Sequence, residues 1–490
     1  MQPALPLPSK LDVHQFSRAF SPQDLDQLDF LIVVAAKGDE KAIAAKAGLE
    51  KLAARLAGRD KENVTLPLGE RLVTVARLAA DATAFEMLDA ARKWLSNARL
   101  SRPAVLGLAF DDGVTSREAI VEAVTAAALA ADFRMPKLST QPQKDDYALR
   151  ELHVFDLDRT VDLARTFAMS EGGNLARWLA ALPGNYLTPG KYREYVEQLA
   201  GDNGWEAEFL DEETLKQKNA GAFLAVVQGS ADRDAGIMHL RYRPRQAAEE
   251  SIALVGKGIC FDTGGNNLKS AKSMFGMHGD MQGSAVALGT LLALSRLDAP
   301  FEIDCWLALA QNHIGPRAYK MNDVITASDG TTIEIVHTDA EGRMVLADTL
   351  ALASAARPGM VMDFATLTGA CVHALGTRYS GVFTNREDRI FDLIEAGKRS
   401  GERVWPFPQD RDFDELLESR IADVKQCLIE GEADHILAGR FLSRFVKNDV
   451  PWVHVDLAAS ESKGGLAHVP TEFTGFGVRF AVEYLMNRRG

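Results

Sequence analysis

From residue 252 to residue 455 the chain alternates short apolar runs with long helical stretches, and that alternation leaves few folds open. The runs 252–255, 301–309, 333–336, 361–364 and 452–455 read as strands, and 284–296, 344–356 and 436–446 as helices between them. Strands joined through helices pair mostly in parallel, with helices covering both faces of the sheet. Ligands of such sheets collect beyond the carboxyl ends of the strands. Lys257 and Asp262 follow the first run, Asp339 and Glu341 the third, and Thr366 and Gly369 the fourth. Three segments are therefore expected at one rim.

Before residue 160 the same alternation recurs on a smaller scale, with 30–34 and 103–108 as strands and 41–56 and 117–131 as helices. A helical stretch over 161–182 ends at Pro183-Gly184-Asn185, and such breakers mark a boundary. A chain of 490 residues exceeds one ordinary domain. The expected architecture is α/β. A smaller N-terminal α/β domain spans 1–160 and serves oligomerisation or regulation, a linker helix spans 161–182, and a larger domain over 183–490 holds a mostly parallel sheet flanked by helices.

The net charge of −13 gives no basic footprint for nucleic acid or an anionic membrane. Cys260, Cys305, Cys371 and Cys427 are far apart, and three of them lie in apolar strand-like runs, so reduced buried thiols are expected. Residues 1–6 lack a basic segment followed by an apolar core, and no apolar run reaches membrane-spanning length. The expected location is cytoplasmic.

Asp262, Asp339 and Glu341 sit among glycines and small residues, and Asp280 precedes an apolar helix. Carboxylates crowded into one pocket repel, and burying them unpaired is costly. Divalent cations are the usual remedy, and four carboxylates with Lys257, Lys269 and Arg343 make a set suited to a two-metal hydrolase. Each residue also has a plainer reading. Asp280, Thr338 and Asp339 stand where helix caps stand. Lys257 is either a solvated surface lysine or a buried, neutral amine ligand. Lys269 fits a loop cation, and Arg343 a partner for a neighbouring acid. Gly264 and Gly265 allow positive φ or close backbone approach. His278 and His313 read as packing or supporting groups, whereas His337 is close enough to Asp339 in sequence to reach a metal. There is no His-Glu-x-x-His, Gly-x-Ser-x-Gly or phosphate-loop motif.

Thr338-Asp339-Ala340-Glu341-Gly342-Arg343, with Val255-Gly256-Lys257-Gly258 and Phe261-Asp262-Thr263-Gly264-Gly265, closely resembles the signatures of the leucyl (cytosol) aminopeptidase family. The order and spacing of Lys257, Asp262, Lys269, Asp280, Asp339, Glu341 and Arg343 fit that pattern. The resemblance runs from about Asn174 to the C-terminus, through Ala365-Thr366-Leu367-Thr368-Gly369-Ala370 and Thr474-Gly475-Phe476-Gly477-Val478-Arg479. It implies two divalent ions per subunit, Zn or Mn, with Mg or Co also compatible. One ion takes Asp262, Asp339 with its carbonyl, and Glu341; the other takes Lys257, Asp262, Asp280 and Glu341. It further implies release of N-terminal residues from peptides by attack of a water bridging the ions, with Lys269 stabilising the oxyanion and Arg343 holding a bicarbonate general base. Met277, Thr366 and Gly369 match positions lining the pocket for the first side chain, which implies a leucine-like, apolar preference. A homohexamer is implied, with peptides as substrates and neither membrane nor nucleic acid as partner. His337, Thr263, Asn266-Asn267-Leu268, Gln311-Asn312-His313 and Met321-Asn322-Asp323 depart from the family pattern without removing a ligand. Two competing readings remain: DNA binding without peptidase activity, and hydrolysis of a special dipeptide such as cysteinylglycine at the same site.

Overall fold

A computed structural model describes residues 3–36, 63–68, 71–140, 148–248 and 250–488; the helix expected over 41–56 lies outside them. Six strands, β1 (Asp12–Gln15), β2 (Phe30–Ala36), β3 (Asn63–Leu68), β4 (Arg71–Leu78), β5 (Val105–Phe110) and β6 (Glu151–Val154), form one sheet in the order β1-β6-β5-β2-β4-β3. Among the described residues, only the β3–β4 pairing of this sheet is antiparallel. The run Phe30, Ile32, Val34 packs with helices Ala84–Ala98 and Arg117–Asp132, while Leu31, Val33 and Ala35 pack on the other face with Phe20 and Phe155. The period-2 alternation of a strand buried on both faces produces this split.

The larger sheet has eight strands in the order β15-β14-β17-β13-β9-β10-β8-β7. They are β7 (Glu206–Asp211), β8 (Gly236–Tyr242), β9 (Glu250–Asp262), β10 (Phe301–Asn312), β13 (Met360–Ala365), β14 (Ser380–Thr384), β15 (Val404–Pro406) and β17 (Trp452–Asp456). The central four, β17, β13, β9 and β10, are parallel. Alternate residues again feed two cores. Ile252, Leu254, Met362 and Val455 join one cluster; Ala253, Val255, Val361 and Trp452 join the other. Helix α1 (Gln282–Arg296) covers the first face and helix α2 (Glu341–Ala355) the second. The path runs β9, α1, β10, then α2 across the opposite face to β13 on the far side of β9. That reversal makes β9 a topological switch point, where crevices open in such sheets.

One expectation needs correcting. The third apparent strand is β12 (Thr332–Glu334), which belongs to a separate three-stranded sheet with β11 (Val324–Thr326) and β16 (Val424–Lys425). Its backbone is taken up by β11 on one side and β16 on the other, and Asp339 reaches the rim through a turn instead. The helix over 161–182 is Ala164–Ala180, and it is buried along most of its length. Its Asn174 and Arg177 donate to the carbonyl oxygens of Leu129 and Ala130, which ties it to the smaller sheet's helix. All four cysteines are free and buried, but only Cys260 and Cys305 lie on strands; Cys371 is in the helix Gly369–Leu375. No helix among the described residues is long and apolar enough to cross a membrane.

Candidate metal centre and active site

Lys257 lies within β9 and Asp262 ends it. Five residues apart on a regular strand, their side chains would face opposite ways. Against β10, however, β9 steps from Ile259 to Asp262 while its partner steps only from Ala310 to Asn312. This bulge changes the parity and turns both side chains toward one cluster. Lys257 is buried, with 3% side-chain exposure, so the solvated-lysine reading fails. Its Nζ donates to Asp280 Oδ1 (2.7 Å) and the Thr366 carbonyl (2.8 Å), and lies 3.1 Å from Glu341 Oε1. Lys269 Nζ bridges Asp262 Oδ2 (2.9 Å) and Asp339 Oδ1 (2.6 Å).

The capping readings fail as well. The N-cap of α1 is Met281 and that of α2 is Ala340, neither with a side-chain cap. Thr338 instead donates Oγ1 to the Gly264 carbonyl (2.7 Å). Asp280 therefore approaches from the α1 face and Glu341 from the α2 face, and both meet Asp262 at the end of β9. Carboxylate oxygens of Asp262, Asp280 and Glu341 all lie within 4.8 Å of one another, and all three residues are buried. Asp339, half-buried, completes the group through the shared Lys269.

Burial and mutual repulsion act on these acids together. Burial, reinforced by Asp262, pushes Asp339 up to about 7 and Glu341 to about 8; burial likewise raises Asp280 to about 6 despite Lys257. Lys257 and Lys269 would lose their protons to burial, yet the surrounding carboxylates hold both ammonium groups above the usual lysine range. Four carboxylates against two ammonium groups leave a surplus of negative charge. Asp280 Oδ2 and Glu341 Oε2 are buried without a hydrogen-bond partner. Buried carboxylate oxygens without partners are costly unless a cation meets them, so this donor set fits hard or borderline divalent ions.

A pH dependence follows. Carboxylates whose folded pKa is raised stabilise the fold below their unfolded value near 4, and that contribution is lost as pH climbs through 6 to 8. Divalent ions need the deprotonated ligands, so their stabilisation grows in the same direction. Thermal melts of chelator-treated and Mn²⁺-supplemented protein should therefore diverge more at about pH 8.5 than at about pH 5.5. An equal gap at both would contradict the cluster's role.

A further layer orients these groups, and much of it was not singled out from sequence. Asn312, fully buried at the end of β10, donates Nδ2 to Asp262 Oδ1 (2.9 Å) and the Thr338 carbonyl (3.0 Å). Tyr319 OH donates to the same carbonyl (2.8 Å). Asn267 accepts from Thr338 N (2.9 Å), and Asp456 accepts from the amides of Leu367 and Thr368 and from Thr368 Oγ1, fixing the loop after β13. In sequence Asn267 and Asn312 stand out only as departures from the family pattern, while Tyr319 and Asp456 carry no such mark. Gly264 and Gly265 both adopt positive φ, as their pairing suggests. His337 accepts from the Asp339 amide through Nδ1 (3.2 Å), so it caps the turn. His278 and His313 pack edge-on against Phe473 and Phe261. Arg343, buried, donates Nη1 to the Gln426 carbonyl (2.9 Å) and Nη2 to Asp434 Oδ1 (2.7 Å), as the acid-partner reading anticipated. Thr366 Oγ1 donates to Asp280 Oδ1 (2.8 Å); Met277 is half-buried in the turn before Asp280, and Gly369 is exposed at the start of its short helix.

Gly342 is constrained by this packing. A Cβ there would lie 2.6 Å from Lys257 Cε and 2.8 Å from its Nζ, and the lysine is pinned by two acids. Gly342→Ala is expected to lower metal affinity and turnover by roughly 10–100-fold, as other changes to ligand support do. Metal titration and kcat on the folded variant measure this; unchanged values would show that Lys257 moves freely.

Residues 174–482 match the catalytic domain of the cytosol aminopeptidase family. A probable cytosol aminopeptidase of Persephonella marina is 37% identical over 380 residues, 76% of this chain and 75% of that protein. Among solved structures, a mutant of tomato leucine aminopeptidase superposes with a TM-score of 0.86 at 26% identity, covering 99% of this chain and 98% of that one. The bottromycin maturation enzyme BotP in complex with Mn gives 0.79 at 32% identity, covering 93% and 98%.

Proposed function

This chain belongs to the cytosol aminopeptidase family and is a metal-dependent aminopeptidase, and on that premise we propose which of its residues perform the hydrolysis. Asp262, Asp339 and Glu341 hold one divalent ion, and Lys257, Asp262, Asp280 and Glu341 hold a second. The observation that carries this reading is the mutual approach of Asp262, Asp280 and Glu341 within 4.8 Å, with two of their oxygens unpartnered. When bound, such a pair would polarise the scissile carbonyl and lower the pKa of the attacking water. Zn and Mn suit the oxygen-rich set with one amine, and Mg or Co also fit.

Lys257 would serve as a ligand in its neutral amine form, giving up its ammonium proton on metal loading. Lys269 spans Asp262 and Asp339 and places an ammonium beside the reacting carbonyl, where it stabilises the developing oxyanion. Arg343 holds bicarbonate as general base, and Nε, buried and without a partner, is its free donor for that anion. Met277, Thr366 and Gly369 line the pocket for the first side chain and favour a leucine-like residue. The division at 1–160, 161–182 and 183–490 separates an N-terminal unit that supports a homohexamer from the catalytic part, and the enzyme works on peptides in the cytoplasm.

A panel of aminoacyl p-nitroanilides with and without Mn²⁺ tests this. Leu-p-nitroanilide is expected to be cleaved only with metal, and its N-acetylated form not at all. Cleavage of the blocked substrate would overturn the requirement for a free N-terminus.

A further inference from the structure

We propose that the edge of the smaller sheet carries a third metal site, built from His14, Glu151 and His153, for a transition ion such as Zn²⁺. The backbone puts the three together. β1 and β6 pair in parallel with His14 directly opposite His153, and Glu151 lies two residues before His153, hence on the same face. The two imidazoles meet edge-on with ring centroids 4.9 Å apart. Glu151 Oε2 lies 2.8 Å from His153 Nε2 and 3.8 Å from His14 Nε2, and one ligand atom from each residue falls within 4.8 Å of the others.

These separations bracket what a tetrahedral ion requires. With ligand bonds near 2.0–2.1 Å, neighbouring donors sit about 3.3 Å apart; the two carboxylate–imidazole separations straddle that value and the imidazole pair lies within 4.8 Å. Two imidazoles and one carboxylate are the donor types that select zinc and its neighbours over magnesium or calcium. The third residue is not a casual surface histidine. His153 is 8% exposed, its Nδ1 is buried without a hydrogen-bond partner, and Glu151 fixes the ring through Nε2. His14 is half exposed and Glu151 more than a third exposed, which gives an ion access from solvent and leaves room for water as fourth ligand. Bound metal would staple the edge strand β1 to β6, far in sequence from every residue of the catalytic centre. None of these three residues belongs to the dinuclear set.

The test is a comparison of the full-length wild type with His14→Ala and Glu151→Gln, each dialysed against the same low free Zn²⁺ and analysed for metal per chain. His14 is exposed, so its substitution leaves the fold intact. The proposal expects the wild type to retain one more equivalent than either variant, with Leu-p-nitroanilide turnover unchanged in all three. Substituting Co²⁺ should give a visible absorption difference between wild type and His14→Ala, from the nitrogen-rich site. Equal stoichiometry and identical Co²⁺ spectra in wild type and variants would overturn it, leaving the trio as an edge hydrogen-bond cluster only.

Discussion

Asp339→Ala combined with Glu341→Ala is expected to leave a folded protein that binds no metal pair and hydrolyses Leu-p-nitroanilide no faster than buffer. The physical reason lies in what remains. Glu341 faces Asp262 and Asp280 within 4.8 Å, and Asp339 shares Lys269 with Asp262, so the double change takes two of four acids from one small volume. Asp262 and Asp280 would then face Lys257 and Lys269 with charges balanced, and nothing would draw divalent ions into the site. The fold should survive, because removing repelling, buried carboxylates whose pKa values are raised relieves strain rather than adding it. Chelator-resistant turnover in the double variant would refute the assignment of these acids; loss of activity with unchanged metal content would move their role elsewhere.

The second large effect concerns Lys269. Lys269→Met is expected to lower kcat by about 10²–10³-fold, the usual cost of removing one oxyanion donor, while KM changes little because the interaction belongs to the transition state. Metal content should be kept, since Lys269 contacts Asp262 and Asp339 as a counter-charge and divalent ions would take over that neutralisation. Steady-state kinetics with metal analysis on the same preparation separates the cases. A variant that loses metal as well as kcat would make Lys269 a structural brace of the centre instead.

Much of this centre could be read from the chain itself. Lys257, Asp262, Asp280 and Glu341 converge at the rim to which the strand ends and the family resemblance pointed, and the parallel strands with helices on both faces follow from the alternation between 252 and 455. What escaped was of two kinds. The first is parity: nothing in the run Gly258-Ile259-Cys260-Phe261 announces the bulge that puts Lys257 and Asp262 on one side, because a bulge is decided by the partner strand's register. The short β12 was likewise misplaced into the main sheet, since an apolar run does not say which edge it pairs with. The second is support across long sequence distance. Asn312 reaches Asp262 from 50 residues away, Gln426 accepts the Val336 amide from 90, and Asp456 holds Thr368 from 88. Such partners are set by which strands and loops lie adjacent, which local pattern does not encode. The paired imidazoles of His14 and His153 escaped for the same reason, being 139 residues apart and joined only by the β1–β6 register.

The most direct test is an anomalous-difference map from Mn²⁺-soaked crystals. Two peaks are expected within the cluster of Asp262, Asp280, Asp339 and Glu341, with the Lys257 amine against one of them. Crystals of active enzyme whose map shows density for manganese away from these acids, or none near them, would contradict the account.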